Sequence, residues 1–466
     1  MTTHTPHPPP AVVPGLSPPG PLIRPVAAEA EDEGPGRWDL ATTPGWYRTM
    51  AALCLVLTAA FGATATVAGA VVRGSSATVE TSTAPTLIAV QDLLAAVAEA
   101  DAAATAVHLS ATTGDEDRAR RNLYLAALAR AADQVEEVAR LVGGDEASHD
   151  ALSSIAVDLT TYSGLVEAAR TATDSGDDGD GDQSLQEALE VSQGDIGDAV
   201  GTVTSAGRAR FDAERDVGRL WQLAAVLTGL PALAALLWLQ AGSFRRSNRV
   251  LSLPLVAATA LVVAALALLV TGVGARSAAL DNAGSGGYDA ITATSAGQSA
   301  VFALQSELSL RLLGVERDEP GGDGADGSTN GRTGGEVDVD ALLIEIDGRV
   351  ADVAAGADSP REEAAAAELD LRWDRYRTAA GDIVALIDAG DLEAAVEKFQ
   401  GDGLTTFNGV NTSLESVLAD NRSQFTDGVS GAADAVGLLP LLTAALAALA
   451  GAAVLIGTQQ RLEDYR

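Results

Sequence analysis

The sequence predicts an all-α membrane protein: four transmembrane helices with two tandem extracytoplasmic four-helix bundles, built by internal duplication. Three observations predict it. Four uncharged apolar runs are each long enough to cross about 30 Å of hydrocarbon at about 1.5 Å per residue. The acid excess is confined to the two long segments between those runs. Within these segments, apolar residues recur at steps of three and four, the spacing of helices packed by interlocking side chains.

Composition narrows the class. The chain has 466 residues, more than one compact domain holds, so several units are expected. Apolar residues are 47% and aromatics only 4%; Ala, Leu and Val supply the difference and favour helix over sheet. A net charge of −34 excludes nucleic acid, whose phosphates would repel it. Only one of 30 basic residues is Lys (Lys398), which points to a GC-rich genome. Cys54 is the sole cysteine, so neither an internal disulfide nor a cysteine-rich metal site is available.

Residues 1–48 read as a disordered cytoplasmic tail. The segment is Pro-rich (Pro6, Pro8, Pro9, Pro10, Pro14, Pro18, Pro19), then acidic, and cannot bury a core. A polyproline docking site is the alternative; a solvated tail is the favoured reading. The first span, 49–72, reads as an uncleaved anchor, because no small-residue cleavage site precedes a clear mature start. Ala51 stands three residues before Cys54, where a lipidation signal needs Leu. Spans two to four are 220–243, 250–275 and 436–460. Pro254 and Pro440 lie near span starts; Pro231 lies deeper and is expected to kink its helix. No charged residue lies inside a span, so no proton relay or ion path is marked.

Orientation follows from the short loops. The link 244–249 carries Arg245, Arg246 and Arg249, and the tail 461–466 carries Arg461 and Arg466. The positive-inside rule places both, with the N-terminus, in the cytoplasm. The remaining charge agrees. Segment 74–218 holds 9 basic and 27 acidic residues, a net of −18; segment 277–435 holds 10 and 30, a net of −20. The rest holds 11 and 7, a net of +4.

The predicted outer bundles, 73–219 and 276–435, repeat one plan. Arg73 and Arg276 close the first span of each half, and Leu87 and Ile88 match Ile291 about 15 positions later. Tyr162 stands 58 residues before the next span and Tyr376 stands 60. A Gly/Asp-rich insertion, 318–335, accounts for the longer second half. Heptads run through Leu87, Val90, Leu94 and Val97; Leu152, Ile155, Leu159, Tyr162 and Val166; Val339, Leu343, Ile346, Val350 and Val353; and Leu369, Trp373, Tyr376, Ala380, Ile383 and Ile387. Helices are expected near 77–112, 117–142, 147–173 and 183–218, then 278–317, 337–356, 360–389 and 403–435, with a short one at 391–400. The outermost helices of each set should run directly into the spans. Ser359-Pro360-Arg361-Glu362 reads as a capping box with Pro at the first helical position. Gly143-Gly144 ends the second helix.

No catalytic constellation emerges, and the chain reads as a non-enzyme without a cofactor. His4 and His7 lie in the tail, and His108 and His149 stand alone on amphipathic helices. No paired-histidine zinc motif, nucleophile elbow, phosphate loop or kinase motif is present. The run from Asp177 to Asp182 resembles a calcium loop, but Gln183 and Leu189 stand where Gly and Glu are required, so a solvated connector is the preferred reading. Arg118, Arg120 and Arg121 form a rare basic cluster that could grip a carboxylate; pairing with nearby Asp115, Glu116 and Asp117 is the plainer account. Tyr162, Tyr376 and Trp373 fall on heptad core positions and read as packing.

A span, a helical bundle and a second span also make the outer half of a chemoreceptor, in which a small helix shift carries a signal inward. The stretch Asp158-Leu159-Thr160-Thr161-Tyr162-Ser163-Gly164-Leu165-Val166-Glu167-Ala168-Ala169-Arg170 resembles actinobacterial four-span membrane proteins of the GlnX type. Trp373 and Tyr376, with Gly390-Asp391-Leu392-Glu393-Ala394-Ala395-Val396, resemble their second half. The resemblance implies a relay of amino-acid availability. A solute-binding lipoprotein would touch the outer domains, and a soluble Ser/Thr kinase would respond inside. Glu167 and Arg170, with Arg118 and Arg121, become the candidate partner contacts. A structural scaffold of the cell envelope and an accessory subunit of a transporter remain the alternatives.

Overall fold

A computed structural model describes residues 43–112, 118–247, 252–314, 339–357 and 359–463. The Pro-rich tail up to residue 42, the acidic trio 115–117, Arg249, the insertion 318–335 and Arg466 lie outside the described residues. Every described element is helical. In chain order these are α1 (Thr43–Thr78), π1 (Val79–Thr83), α2 (Ala84–Thr112), α3 (Arg118–Leu141), α4 (Glu146–Asp174), α5 (Asp178–Glu190), π2 (Val191–Ile196) and α6 (Gly197–Ser247). Then follow α7 (Leu253–Asn282), π3 (Ala283–Tyr288), α8 (Asp289–Leu313), α9 (Val339–Ala355), α10 (Pro360–Asp388), α11 (Leu392–Lys398), π4 (Phe399–Gly403), α12 (Leu404–Val436) and α13 (Leu439–Glu463).

The heptads locate the buried faces. On α4, Leu152, Ile155, Leu159, Tyr162 and Val166 are buried; on α10, Leu369, Trp373, Tyr376, Ala380 and Ile383 are. Two positions differ by one residue. Leu342 is buried rather than Leu343, and Leu93 rather than Leu94, each neighbour packing at the margin. A straight helix drifts by about 20° per heptad, which brings the adjacent position to the seam. The capping box forms: Glu362 N–H donates to Ser359 Oγ at 3.2 Å, and Ser359 N–H to Glu362 Oε2 at 3.1 Å. Gly143 adopts φ +70 in the turn between α3 and α4, a left-handed conformation that glycine takes without penalty.

Long helices run unbroken through most of the span boundaries. The chain stays helical from Thr43 to Thr112, from Asp178 to Ser247, from Leu253 to Leu313 and from Leu392 to Val436, each stretch holding one π segment. A π turn accommodates one extra residue without ending the helix. Pro231 lies inside α6, which remains helical through Ser247. One predicted continuity fails. Helices α12 and α13 are separate, because Pro440 lacks an N–H and crowds the preceding backbone. The fourth interspan helix also begins earlier than expected, at Asp178, where Asp177 caps it.

Four helices, within α1, α6, α7 and α13, are long and apolar enough to cross a membrane. They pack around Tyr47, Cys54, Phe61, Val72, Leu236, Leu269 and Val454. Their outer faces expose Val56, Leu223, Leu227, Trp238 and Leu442, as helices facing lipid require. Small residues bring α1 close to α13: a Cβ at Gly62 would lie 2.6 Å from Ala447 Cβ, and one at Gly69 would lie 3.0 Å from the Pro440 backbone.

Between the spans, α2 to α5 pack with π2 and the start of α6 around Val90, Leu93, Ile155 and Tyr162. Helices α8 to α12 pack around Phe302, Trp373, Tyr376 and Phe407. The two groups touch through α2 against α8 and through an apolar joint of Val79, Leu87, Phe211, Tyr288 and Phe425. Ion pairs Arg208–Asp289 (2.7 Å), Arg215–Asp281 (2.7 Å) and Arg422–Asp92 fasten the same joint.

Candidate functional site

Three of the four predicted contact residues come together. Helices α3 and α4 lie side by side, so Arg121 Nη2 reaches Glu167 Oε1 at 3.1 Å. Arg170 Nε donates to Glu167 Oε2 at 3.1 Å, and its Nη1 to Asp174 Oδ2 at 2.5 Å. Arg121 thus pairs across helices with Glu167, while Asp115, Glu116 and Asp117 lie outside the described residues. Arg118 is exposed at the start of α3, one turn from Arg121. These groups are half-exposed, so the network contributes modestly to stability and part of its charge stays accessible.

Beneath this network lies a polar group that heptad reasoning passes over. Asp101 on α2 is buried, and its Oδ2 accepts a hydrogen bond from Ser192 Oγ of π2 at 2.7 Å. The rings of Tyr124 on α3 and Tyr162 on α4 stand 6.3 Å apart beside it. Asp101 Oδ1 and both phenol hydroxyls lack a hydrogen-bond partner of good geometry. Burial pushes the Asp101 carboxyl up to about 7, against the lowering influence of Ser192 and Tyr162. Burial also raises the Tyr124 phenol, helped by the charges of Glu167 and Asp101; Tyr162 rises by burial, then Asp101 and Tyr124. The sequence signal was faint: one carboxylate in the run Ala100-Asp101-Ala102-Ala103-Ala104.

His108, two turns further along α2, is also buried. Its Nε2 lies 2.8 Å from Asp182 Oδ1, and its Nδ1 lies 3.5 Å from Thr173 Oγ1. The acidic run that resembled a calcium loop is therefore the first turns of α5, with Asp182 committed to His108. Acidic residues belong at a helix N-terminus, where they face the positive end of the dipole. Among the described residues no cluster of His, Cys, Asp and Glu could hold a metal ion.

At the end of the apolar spans, Arg276 of α7 is fully buried. Its Nε donates to Ser76 Oγ at 2.7 Å, and its Nη2 to Ser75 Oγ and the Glu214 carbonyl, both at 2.9 Å. One guanidinium thereby ties α7 to α1 and α6. A cleft of about 460 Å³ opens beside it, lined by Thr78, Ser82, Thr83, Asp145, Arg210 and Glu214. Arg210 is held in its wall by Asp145 at 3.0 Å and the Val142 carbonyl at 2.8 Å.

No curated protein and no solved structure matches the chain. The region holding the Arg121–Glu167 network, the Asp101 group and the cleft is nevertheless recognisable: residues 75–216 match the family model described as an actinobacterial sensor domain, which together with four apolar helices supports a membrane sensor protein.

Proposed function

We propose that the protein is an integral membrane sensor and signal relay without catalytic chemistry of its own. Its two acidic helical groups form tandem bundles outside the cell, and both termini lie in the cytoplasm. It reports amino-acid status, received from a solute-binding lipoprotein, to a cytoplasmic partner such as a Ser/Thr kinase. One observation carries the reading. The sensor-like region begins and ends inside helices that continue, unbroken, into two apolar spans. A displacement of α2 against α6 is therefore a displacement of the spans themselves. Coupling needs such a contiguous element with two arrangements, and interlocked helices supply one. The placement of the π segments supports the duplication: in each half one follows the first span and another opens the long last helix.

The accessible charges of Glu167, Arg170, Arg121 and Arg118 are the proposed lipoprotein contact. A photo-cross-linker at the exposed Ala168, between Glu167 and Arg170, tests this in living cells. The expected product joins the chain to a solute-binding lipoprotein, in yield that follows amino-acid supply. Recovery of no external protein under any nutrient condition would overturn the reading.

A further inference from the structure

We infer that Asp101 is a proton-operated switch through which external acidity sets the position of α2, which continues into the first span, against π2 and α6, which continue into the second. That the acidity is external rests on the proposed orientation; the switch itself rests on the geometry of the side chain.

Among the described residues, Asp101 and Glu307 are the buried carboxylates. Glu307 has a counter-ion, Arg311, at 3.4 Å. Asp101 forms no ion pair with a described residue. Its neighbours offer hydroxyls: Ser192 from π2, Tyr162 from α4 and Tyr124 from α3. Helix α5 contributes Leu185, Ala188 and Leu189 to this region, and α8 contributes Leu310, all apolar. Arg120 on α3 is half-buried and does not pair with Asp101, and Arg130 pairs with Glu99 at 2.5 Å. Glu167 is held by Arg121 and Arg170, His108 by Asp182, and Glu307 by Arg311. A proton is thus the species that can neutralise Asp101 in place.

Position turns this into a device. The Ser192–Asp101 bond is the polar tie between α2 and π2, and a π turn is where a helix can change register. With the carboxyl protonated, the group is a neutral hydroxyl cluster that close packing tolerates. Once ionised, the anion must tighten its contacts with Tyr162 and Ser192 and draw in the Tyr124 hydroxyl, or admit water. Either response moves α4 and π2 relative to α2. The folded carboxyl sits above its ordinary value of 3.8, so its stabilisation of the close-packed form is complete below that value. It is lost as pH rises through about 7.

The test uses the full chain in lipid nanodiscs, titrated from about pH 5 to about pH 9. Infrared difference spectra follow the C=O stretch of a protonated carboxyl. Spin labels at the half-buried Ala95→Cys on α2 and the exposed Ser205→Cys on α6, in a Cys54→Ala background, follow α2 against α6. The expected result is one carboxyl band lost near neutrality with a distance shift of about 1–2 Å at the same midpoint. Asp101→Asn should abolish both, and Ser192→Ala, which removes a donor to the anion, should raise the midpoint. His108→Gln should leave the band in place. A pH-driven shift that survives Asp101→Asn, or a Ser192→Ala midpoint equal to the parent's, would overturn the switch, as would a chain showing no carboxyl band in this range. None of these readouts depends on sidedness. A silent Asp101 would therefore leave the sensor reading standing.

Discussion

At the level of single residues, the most consequential side chain is Arg276. A fully buried guanidinium at the rim of the spans is tolerable because three of its hydrogen bonds reach two other helices. Removing it leaves the Ser75 and Ser76 hydroxyl oxygens without the guanidinium donor, while the Glu214 carbonyl keeps only the Ser75 hydroxyl at 3.0 Å among its side-chain donors. Arg276→Ala is expected to cost about 3 kcal/mol, read as a lowered unfolding midpoint, and Arg276→Lys should rescue little, since an ammonium lacks the planar fork. A milder case is Tyr376, whose hydroxyl donates to Gln305 Oε1 at 2.8 Å inside the core. Tyr376→Phe should cost about 1 kcal/mol with the fold intact. Sequence periodicity found Tyr376 and Tyr162, because core placement is a local, periodic signal. It could not find the Arg276 clasp or the Arg121–Glu167 pair, whose members are 200 and 46 residues apart. Asp101 was missed for the opposite reason: a buried carboxylate breaks the apolar pattern that defines the core. Its titration gives the residue-scale prediction for stability. The difference in unfolding midpoint between the parent and Asp101→Asn should change in the parent's disfavour as pH rises from about 5 to about 8.

Among elements, the informative feature is the distinction between helices that continue and helices that stop. Four stretches pass through a π segment unbroken, while α12 and α13 part at Pro440. Proline accounts for that break, although the apolar pattern predicted continuity there; nothing in the composition of residues 79–83 or 283–288 marks a π turn, which arises from register against neighbouring helices. Likewise, the Asp-rich run at 177–182 carried the composition of a connector but takes the start of α5, because Asp177 caps it and His108 receives Asp182. The seam between α1 and α13 gives an element-scale prediction. Gly62→Leu should force these helices apart, because even a Cβ there falls 2.6 Å from Ala447. The expected outcome is a sharply lowered unfolding midpoint. Gly164→Leu, with open space around its site, should be near neutral.

For the whole molecule, two properties were legible from the start: how many apolar helices there are, and where the negative charge lies. Both are sums over long segments and survive local error. The joint between the halves was not legible. Its apolar centre combines Val79, Phe211, Tyr288 and Phe425 from four separate elements, and its ion pairs join distant positions such as Asp92 and Arg422. In the proposed relay the joint would let a shift in α2 and α6 be felt by α7 and α12. Neutralising Arg208 and Arg215 together, which removes two of its ion pairs, should loosen the halves with only a modest loss of stability, because each pair is partly solvated. Hydrogen exchange along α8 and α12 would register the loosening.

The proposed relay requires the acidic helices to face out of the cell while the arginine-bearing link faces in. Single cysteines in a Cys54→Ala background, treated on intact cells with a membrane-impermeant maleimide, measure this directly. Thr161 and Asn408 are the outer probes, being exposed. Thr161→Cys and Asn408→Cys are expected to label at once, and Ser247→Cys only after the membrane is permeabilised. Labelling of Ser247→Cys in intact cells, with the other two protected, would contradict the account.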